Sequence, residues 1–394
     1  MSKLKVSTRS NVAPFIAMDV MREASALERQ NGAKTKIIHM EVGQPATAAP
    51  QLVRDAATIA LATERLGYTD ALGLPKLRER IARHYDEYYG VNIDPARVAV
   101  TAGSSGGFVL AFLACFDPGA RVAICEPGYP AYRNILKTLG LQPVGIPVGP
   151  ETRWAITPEL LDAAEREHGS LAGVLVASPA NPTGTMMTPD ALGALAKSCQ
   201  DNGRWLISDE IYHGMTFGAV EATALAYSPD VIVANSFSKY YCMTGWRLGW
   251  LVVPEILIRP LEKLAQNIFI SPSAIAQEAA IAAFDAREEL DTNIAIYAAN
   301  RDLLLEALPA AGISNFAPVD GAFYLYADLE KILEKNANMN SVEFCNRMLH
   351  EAGVAATPGV DFDPHRGNQT VRFSFAGATA EMAEAAERIK KWLA

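Results

Sequence analysis

The stretch 230-DVIVANSFSKYYCMTGWRLGW-250 puts a lysine in an unusual place. Asp230 to Ala234 is a short β-branched apolar run that reads as a fully buried strand. It passes into a polar turn carrying Ser236, Ser238 and Lys239, then to Gly245 and Arg247, and a second apolar run follows from Leu248 to Val253. An amine flanked by two hydroxyls, two tyrosines and an arginine, between two buried strands, belongs in a pocket more than on a solvated face. Most lysines only keep a surface wet. The weight given to Lys239 therefore rests on what the rest of the chain brings to it.

Outward from that stretch, the region from Arg97 to Pro254 alternates short apolar runs with helical patterns, the signature of a parallel sheet covered by helices. The spacing predicts strands at Val98 to Thr101, Arg121 to Cys125, Pro143 to Pro147, Gly173 to Ala177, Trp205 to Ser208, Val231 to Ala234 and Leu248 to Val253. An open α/β sheet binds ligands outside the carboxyl edge of its strands, where strand-to-helix loops converge. Those loops hold the polar residues here.

After the first strand, Gly103-Ser104-Ser105-Gly106-Gly107 opens an apolar helix, so free N–H groups and the positive helix end face one spot. That is a phosphate cradle by geometry, although a plain Gly-rich turn reads the same way. It matches neither G-x-G-x-x-G nor the P-loop, which disfavours a nucleotide. After the second, Glu126 to Tyr132 fixes Tyr129 on a proline-stiffened loop, where it can stack on a flat ring or simply pack at the sheet edge. After the fourth, Ser178-Pro179-Ala180-Asn181-Pro182-Thr183-Gly184 presents one side-chain amide, which by itself is ordinary turn chemistry. After the fifth, Asp209 ends a buried strand and Tyr212 follows one helical turn later. A charge there is costly without a cationic partner, unless Asp209 is a helix N-cap.

Together these groups meet the needs of one cofactor. A lysine able to form a Schiff base, an aspartate for a ring nitrogen, a tyrosine and an asparagine for a phenolic oxygen, an aromatic for the ring face, and a cradle with Arg247 for a phosphate describe pyridoxal 5′-phosphate (PLP).

The motifs SPANPTG, SDEIY, SFSKYYCMTGWRLGW and VRFSFA, in this order and spacing, resemble the class I/II aminotransferases, the fold-type I PLP enzymes related to aspartate aminotransferase. The resemblance runs from about the N-terminal helix to the C-terminus. It implies an α/β fold: a large PLP-binding domain (46–285) with a mainly parallel seven-stranded sheet covered by helices, a smaller α+β domain (286–394), and an N-terminal segment (1–45) joining the smaller one. It implies Lys239 as the Schiff-base lysine, Asp209 on the pyridine nitrogen, Tyr212 and Asn181 on the ring oxygen, and Tyr129 as the stacking ring. It further implies the Gly103, Ser104 and Ser105 backbone with Ser236, Ser238 and Arg247 on the phosphate, and Arg372 on the substrate carboxylate, with Gly43 and Asn181 on the substrate side. Tyr68 in such enzymes reaches the neighbouring subunit's phosphate, so a homodimer with shared sites is implied.

The chemistry agrees with those roles. An ionised Asp209 keeps a ring nitrogen protonated. Lys239, once displaced by an amino acid, is placed to carry a proton. Arg372, in Thr370-Val371-Arg372-Phe373, offers a planar fork matching a carboxylate, worth ~1.5–3 kcal/mol per charge-assisted bond.

Elsewhere the patterns are structural. Helices are expected over Val12 to Gln30, with Gly32 as the stop, and over Pro50 to Thr63 and Lys76 to Tyr89, with Tyr68 in the intervening loop. A short strand ends at the Gly43-Gln44-Pro45 turn, which lets backbone approach a ligand. Past Pro254 come helices at Glu255 to Asn267, Ala274 to Asp285 and Ala286 to Leu308, then strands at Gly321 to Tyr326 and Val371 to Phe375 with helices at Ser341 to Ala352 and Ala380 to Leu393.

Composition narrows the function classes. The 394 residues are 50% hydrophobic and 20% charged, enough for a large core. A net charge of −9 without a basic block argues against a nucleic-acid partner. No apolar run approaches the ~20 residues of a membrane span, and the polar start lacks a secretory core, so the expected location is cytoplasmic. Five separated cysteines and six scattered histidines suggest neither a disulfide framework nor a metal.

The substrate is less marked. Aspartate-specific relatives often use a second basic residue, and Asn267 to Ser273 has none. A neutral aliphatic or aromatic amino donor is expected, with 2-oxoglutarate or pyruvate as acceptor, unless Arg22 or Arg133 turns into the site. A PLP lyase or synthase would use the same lysine, aspartate and arginine. A PLP-binding regulator would need a DNA-binding domain ahead of Ile37, where too few residues stand.

Overall fold

The computed structural model describes residues 4–31, 36–335 and 339–394, so the helix stop expected at Gly32 lies outside the described residues. The first strand, β1 (Ile38–His39), is short. Seven strands then build the central sheet: β2 (Val98–Thr101), β3 (Arg121–Glu126), β4 (Gln142–Pro147), β5 (Gly173–Ala177), β6 (Trp205–Asp209), β7 (Ile232–Ser236) and β8 (Gly249–Val252). Their order is β2-β8-β7-β6-β5-β3-β4. Pairings among β3 to β7 are parallel, whereas β8 runs antiparallel to both β2 and β7. The reversal follows from the connection. No α-helix lies between β7 and β8, only a loop with one 3₁₀ turn at Thr244–Trp246, so the chain turns back beside β7 instead of crossing over.

Alternate residues along the strands enter two different cores. Val98, Val100, Val233 and Val252 belong to one. Ala99, Ile232, Ala234 and Leu251 belong to the other. Burial on both faces is why these strands read as continuous apolar runs. Trp250 anchors the first core: it is fully buried, packs 4.9 Å from Phe237 and donates from Nε1 to Tyr85 Oη at 3.1 Å. Truncating a side chain of this kind costs ~3–5 kcal/mol.

The remaining strands are β9 (Asn315–Phe316), β10 (Tyr324–Asp328), β11 (Val354–Ala355), β12 (Thr357–Pro358) and β13 (Thr370–Ser374). β12-β13-β10-β9 form an antiparallel sheet, and β1 pairs in parallel with β11. Ile38 and Met40 share a core with Leu325, Phe373 and Phe375. Among the described residues no helix is long and apolar enough to cross a membrane.

Three local expectations need correction. The strand that leads to the lysine runs on through Asn235 and Ser236, because both pair with β8 at Trp250 and Gly249. No helix follows Asp209: its Oδ1 accepts from the Ile211 amide at 3.1 Å, so it closes a turn and caps no helix. The strand expected from Gly321 starts only at Tyr324, since Ala322 sits at φ 59°, outside the extended region.

Candidate active site

A cavity of about 240 Å³ opens at the carboxyl edge of the central sheet. Its floor is Lys239, just past β7, whose ammonium donates to Gly43 O at 2.5 Å and lies 5.8 Å from the Tyr212 ring centre. Burial, helped by the nearby Arg372 and Arg247 and against the opposing pull of Asp209, pushes the amine down to about 8. A substantial neutral fraction near pH 8 makes this lysine a nucleophile and a base.

One wall is an anion cradle. The helix Gly103–Cys115 begins there with no side-chain cap, and Ser104 and Ser105 line the cavity. Gly103 has φ +70°, and a Cβ on it would fall 2.4 Å from Arg247 Nη2. Glycine thus lets the guanidinium close on the helix end. Arg247 donates to Thr244 O at 3.0 Å and, with Ser238, faces the same space. Ser236 stands one layer back: its Oγ lies 2.9 Å from both Ser238 Oγ and Leu248 O, and it fixes the loop without lining the cavity.

The opposite end holds a carboxylate. Asp209 is buried, accepts from the Tyr132 hydroxyl and the Ile211 amide, and burial still pushes it up to about 6. Between the two ends stand Tyr129, Tyr212 and Asn181. The Tyr129 ring meets Tyr132 edge-on at 5.2 Å. Tyr212 Oη pairs with Tyr324 Oη at 2.7 Å, and a Cβ on Gly43 would collide with that Tyr324 hydroxyl at 1.9 Å.

Arg372, on β13, is buried with its guanidinium 4.4 Å from the Tyr324 ring centre and 4.7 Å from that of Phe362. Nη1 donates to Asn181 Oδ1 at 2.8 Å and Nη2 to Glu41 O at 2.5 Å, while buried Nε has no partner. A buried cation with an unmatched donor beside a cavity suits a carboxylate ligand.

The structure therefore gathers Gly43, Ser104, Ser105, Tyr129, Asn181, Asp209, Tyr212, Ser238, Lys239, Arg247 and Arg372 around one cavity, with Gly103 and Ser236 directly behind. Tyr68 is 85% exposed and does not line it. Nor does the segment Asn267 to Ser273, on which the sequence reading of specificity leaned. Sequence reasoning missed Phe15, just ahead of the N-terminal helix, Ala17 and Met18 in its first turn, and Tyr132, Thr244 and Tyr324. Tyr132 and Tyr324 stood in aromatic-rich motifs, but Phe15 and Met18 carry no local signal. Among the described residues no cluster of His, Cys, Asp and Glu is arranged to hold a metal.

The groups fit pyridoxal phosphate at both ends: a cradle and Arg247 for a dianion, a buried carboxylate for a ring nitrogen, and an amine with a lowered pKa between them. Fold and site thus define a PLP-dependent enzyme of fold type I. More narrowly, the chain belongs to the class I and II aminotransferases, whose family model matches residues 35–389. It is 47% identical over 393 residues to a valine–pyruvate aminotransferase of Mycobacterium tuberculosis, covering 99% of this chain and 98% of the relative. The crystal structure of an aminotransferase from Mycobacterium tuberculosis superposes with a TM-score of 0.95 at 47% identity, covering 99% of each chain. The aspartate aminotransferase of Thermus thermophilus with maleate gives 0.90 at 29% identity, covering 98% of this chain and 99% of that one. The protein is a PLP-dependent aminotransferase.

Proposed function

We propose that this aminotransferase moves the amino group of a neutral aliphatic or aromatic L-amino acid to a 2-oxo acid such as pyruvate or 2-oxoglutarate by a ping-pong mechanism. The observation that supports the donor class most is the lining of the cavity. Phe15, Ala17, Met18, Val42 and Ile211 contribute apolar surface to it, and besides Arg372 its one arginine among the described residues is Arg247, at the phosphate end. Arg133 is held by Glu126 at 3.3 Å and Arg22 by Asp19 at 2.9 Å. A side-chain carboxylate would therefore lose a charge-assisted partner, whereas an apolar side chain gains ~25 cal/mol per Å² buried. The valine–pyruvate name of the 47% identical relative points the same way.

PLP, when bound, supplies the electron sink that acidifies the substrate Cα proton. The chain's own residues do the rest. Arg372 holds the α-carboxylate, with Asn181 and Gly43 beside it. Asp209, ionised, retains a proton on the ring nitrogen. Lys239 carries the cofactor and then moves a proton from Cα. Tyr212 and Asn181 serve the ring oxygen, and Ser104, Ser105, Ser238 and Arg247 the phosphate, with Gly103 and Ser236 shaping that cradle from behind. We further read residues 46–285 as the cofactor-binding domain, 286–394 with 1–45 as the smaller one, and the working unit as a cytoplasmic homodimer whose exposed Tyr68 serves the neighbouring site.

The test is single-turnover formation of 2-oxo acid from each amino donor without acceptor, followed by kcat/KM with pyruvate and 2-oxoglutarate. Neutral donors should lead, with one oxo acid per active site. Aspartate or glutamate about tenfold above every neutral donor would overturn the donor class. Ammonia release without amino transfer would favour a lyase.

A further inference from the structure

We propose that Asp361 is a positioning residue for substrate: it fastens the first turn of the N-terminal helix over the cavity, and its neighbour Phe362 ties that turn to Arg372. The proposal rests on reading the cavity as the amino-acid site.

Among the first amides of the helix Ile16–Asn31, those of Met18 and Asp19 turn back to Phe15 O. Those of Ile16 and Ala17 are met from across the chain. Ile16 N donates to Asp361 Oδ1 and Ala17 N to Asp361 Oδ2, each at 3.2 Å. The residues carried by that turn are site residues: Ala17 and Met18 line the cavity, and Phe15 lies edge-on to Tyr129 at 5.8 Å.

Asp361 stands on a stiff platform. A Cβ on Gly359 would fall 1.9 Å from Thr370 Oγ1, so the turn Gly359–Asp361 lies flat against β13. Phe362 covers one face of the Arg372 guanidinium, and its carbonyl accepts from the Gly128 amide at 3.1 Å, next to Tyr129. The Asp361 carbonyl accepts from Arg133 Nη2 at 3.4 Å. One short turn therefore holds the helix start, the stacking-ring loop and the substrate arginine in register.

A carboxylate at a helix end is more often only a cap. Two features separate this one. It takes two backbone donors of a turn that carries Ala17 and Met18 into the cavity wall, and the rest of the helix is held elsewhere. Ala24 is buried against Ile37, Leu349 and Ala355, with Val20 and Leu27 packed beside it. Loss of Asp361 should loosen the first turn and leave the helix docked.

The experiment uses the holoenzyme with Asp361→Asn and Asp361→Ala. For the best amino donor and 2-oxo acid, KM should rise about tenfold in Asp361→Ala and less in Asp361→Asn, which keeps one acceptor, with kcat changed much less. Hydrogen exchange should quicken at residues 16–19 and stay unchanged at residues 24–27. The Phe15→Ala/Met18→Ala variant should share this loss, so that combining it with Asp361→Ala adds little. If Asp361→Ala does not fold, Ile16→Pro removes one donor at a position that tolerates proline, and the same measurements apply. KM values within about twofold of wild type, or full additivity with the Phe15/Met18 variant, would overturn the proposal. Because each result is a ratio to wild type for whichever donor proves best, an acidic preference would sink the donor class while leaving Asp361 decided by its own ratio.

Discussion

Replacing Tyr132 by phenylalanine removes one hydroxyl from the buried carboxylate of Asp209 and leaves the ring in place. Burial raises Asp209 to about 6 from an ordinary 3.8, and the bonds from Tyr132 and Ile211 hold it below what burial alone would give. A hydrogen bond to a charged acceptor is worth ~1.5–3 kcal/mol and a neutral one ~1 kcal/mol, so losing it should lift the carboxyl by about one unit more. The sign follows from linkage. Below pH ~4 folded and unfolded chains both hold the proton, so the group's contribution to stability is complete. As pH rises through the folded value the contribution is lost, over a window ending near 6 in the wild type and near ~7 in Tyr132→Phe. The stability gap between the two proteins should therefore widen by ~1 kcal/mol between pH 5 and pH 8. Urea unfolding of the cofactor-free proteins at steps across that range measures it. A gap of constant size would refute the reasoning, because it would mean that Tyr132 does not distinguish the ionised from the protonated carboxyl.

Four further outcomes are expected. Borohydride reduction of the holoenzyme should fix the cofactor on the peptide containing Lys239, and Lys239→Ala should abolish it. In the cofactor-free protein, reductive methylation of Lys239 should rise with pH through about 8, since burial favours the neutral amine. Gly103→Ala should weaken cofactor binding by about tenfold or more, because the new Cβ meets Arg247 at 2.4 Å and the +70° backbone is strained; equilibrium dialysis against PLP checks this, and unchanged affinity would count against the cradle. Mixing Tyr68→Phe with Lys239→Ala subunits should restore one sound site per mixed dimer, and no recovery above the parents in confirmed heterodimers would refute a shared site.

What the sequence made legible depended on local pattern. Residues buried on both sheet faces left continuous apolar runs, so all seven strands were readable and most boundaries agree within a residue or two. Asp209, Lys239 and Arg247 were readable because Asp209 and Lys239 stand at or just beyond a strand end and Arg247 just ahead of β8, where a charge in an apolar setting needs a reason. Asn235 and Ser236 show where this failed: polar residues looked like a turn, yet they remain in β7 because β8 supplies their backbone partners.

By itself, then, the sequence determined most of the secondary structure, the α/β class and the set of groups that one cofactor requires, since all of these rest on residue type and short spacing. The tertiary structure alone decided the reversed direction of β8, the retreat of Ser236 behind the cavity, the distance of Tyr68 from it, and the arrival of Phe15 and Met18 at its mouth. It also set Tyr132 against Asp209, 77 positions away, and Asp361 against Ile16, 345 positions away. Contacts at such separations leave no periodicity in the chain. They arise when packing buries a charge or a free amide and the only partner within reach belongs to a distant segment.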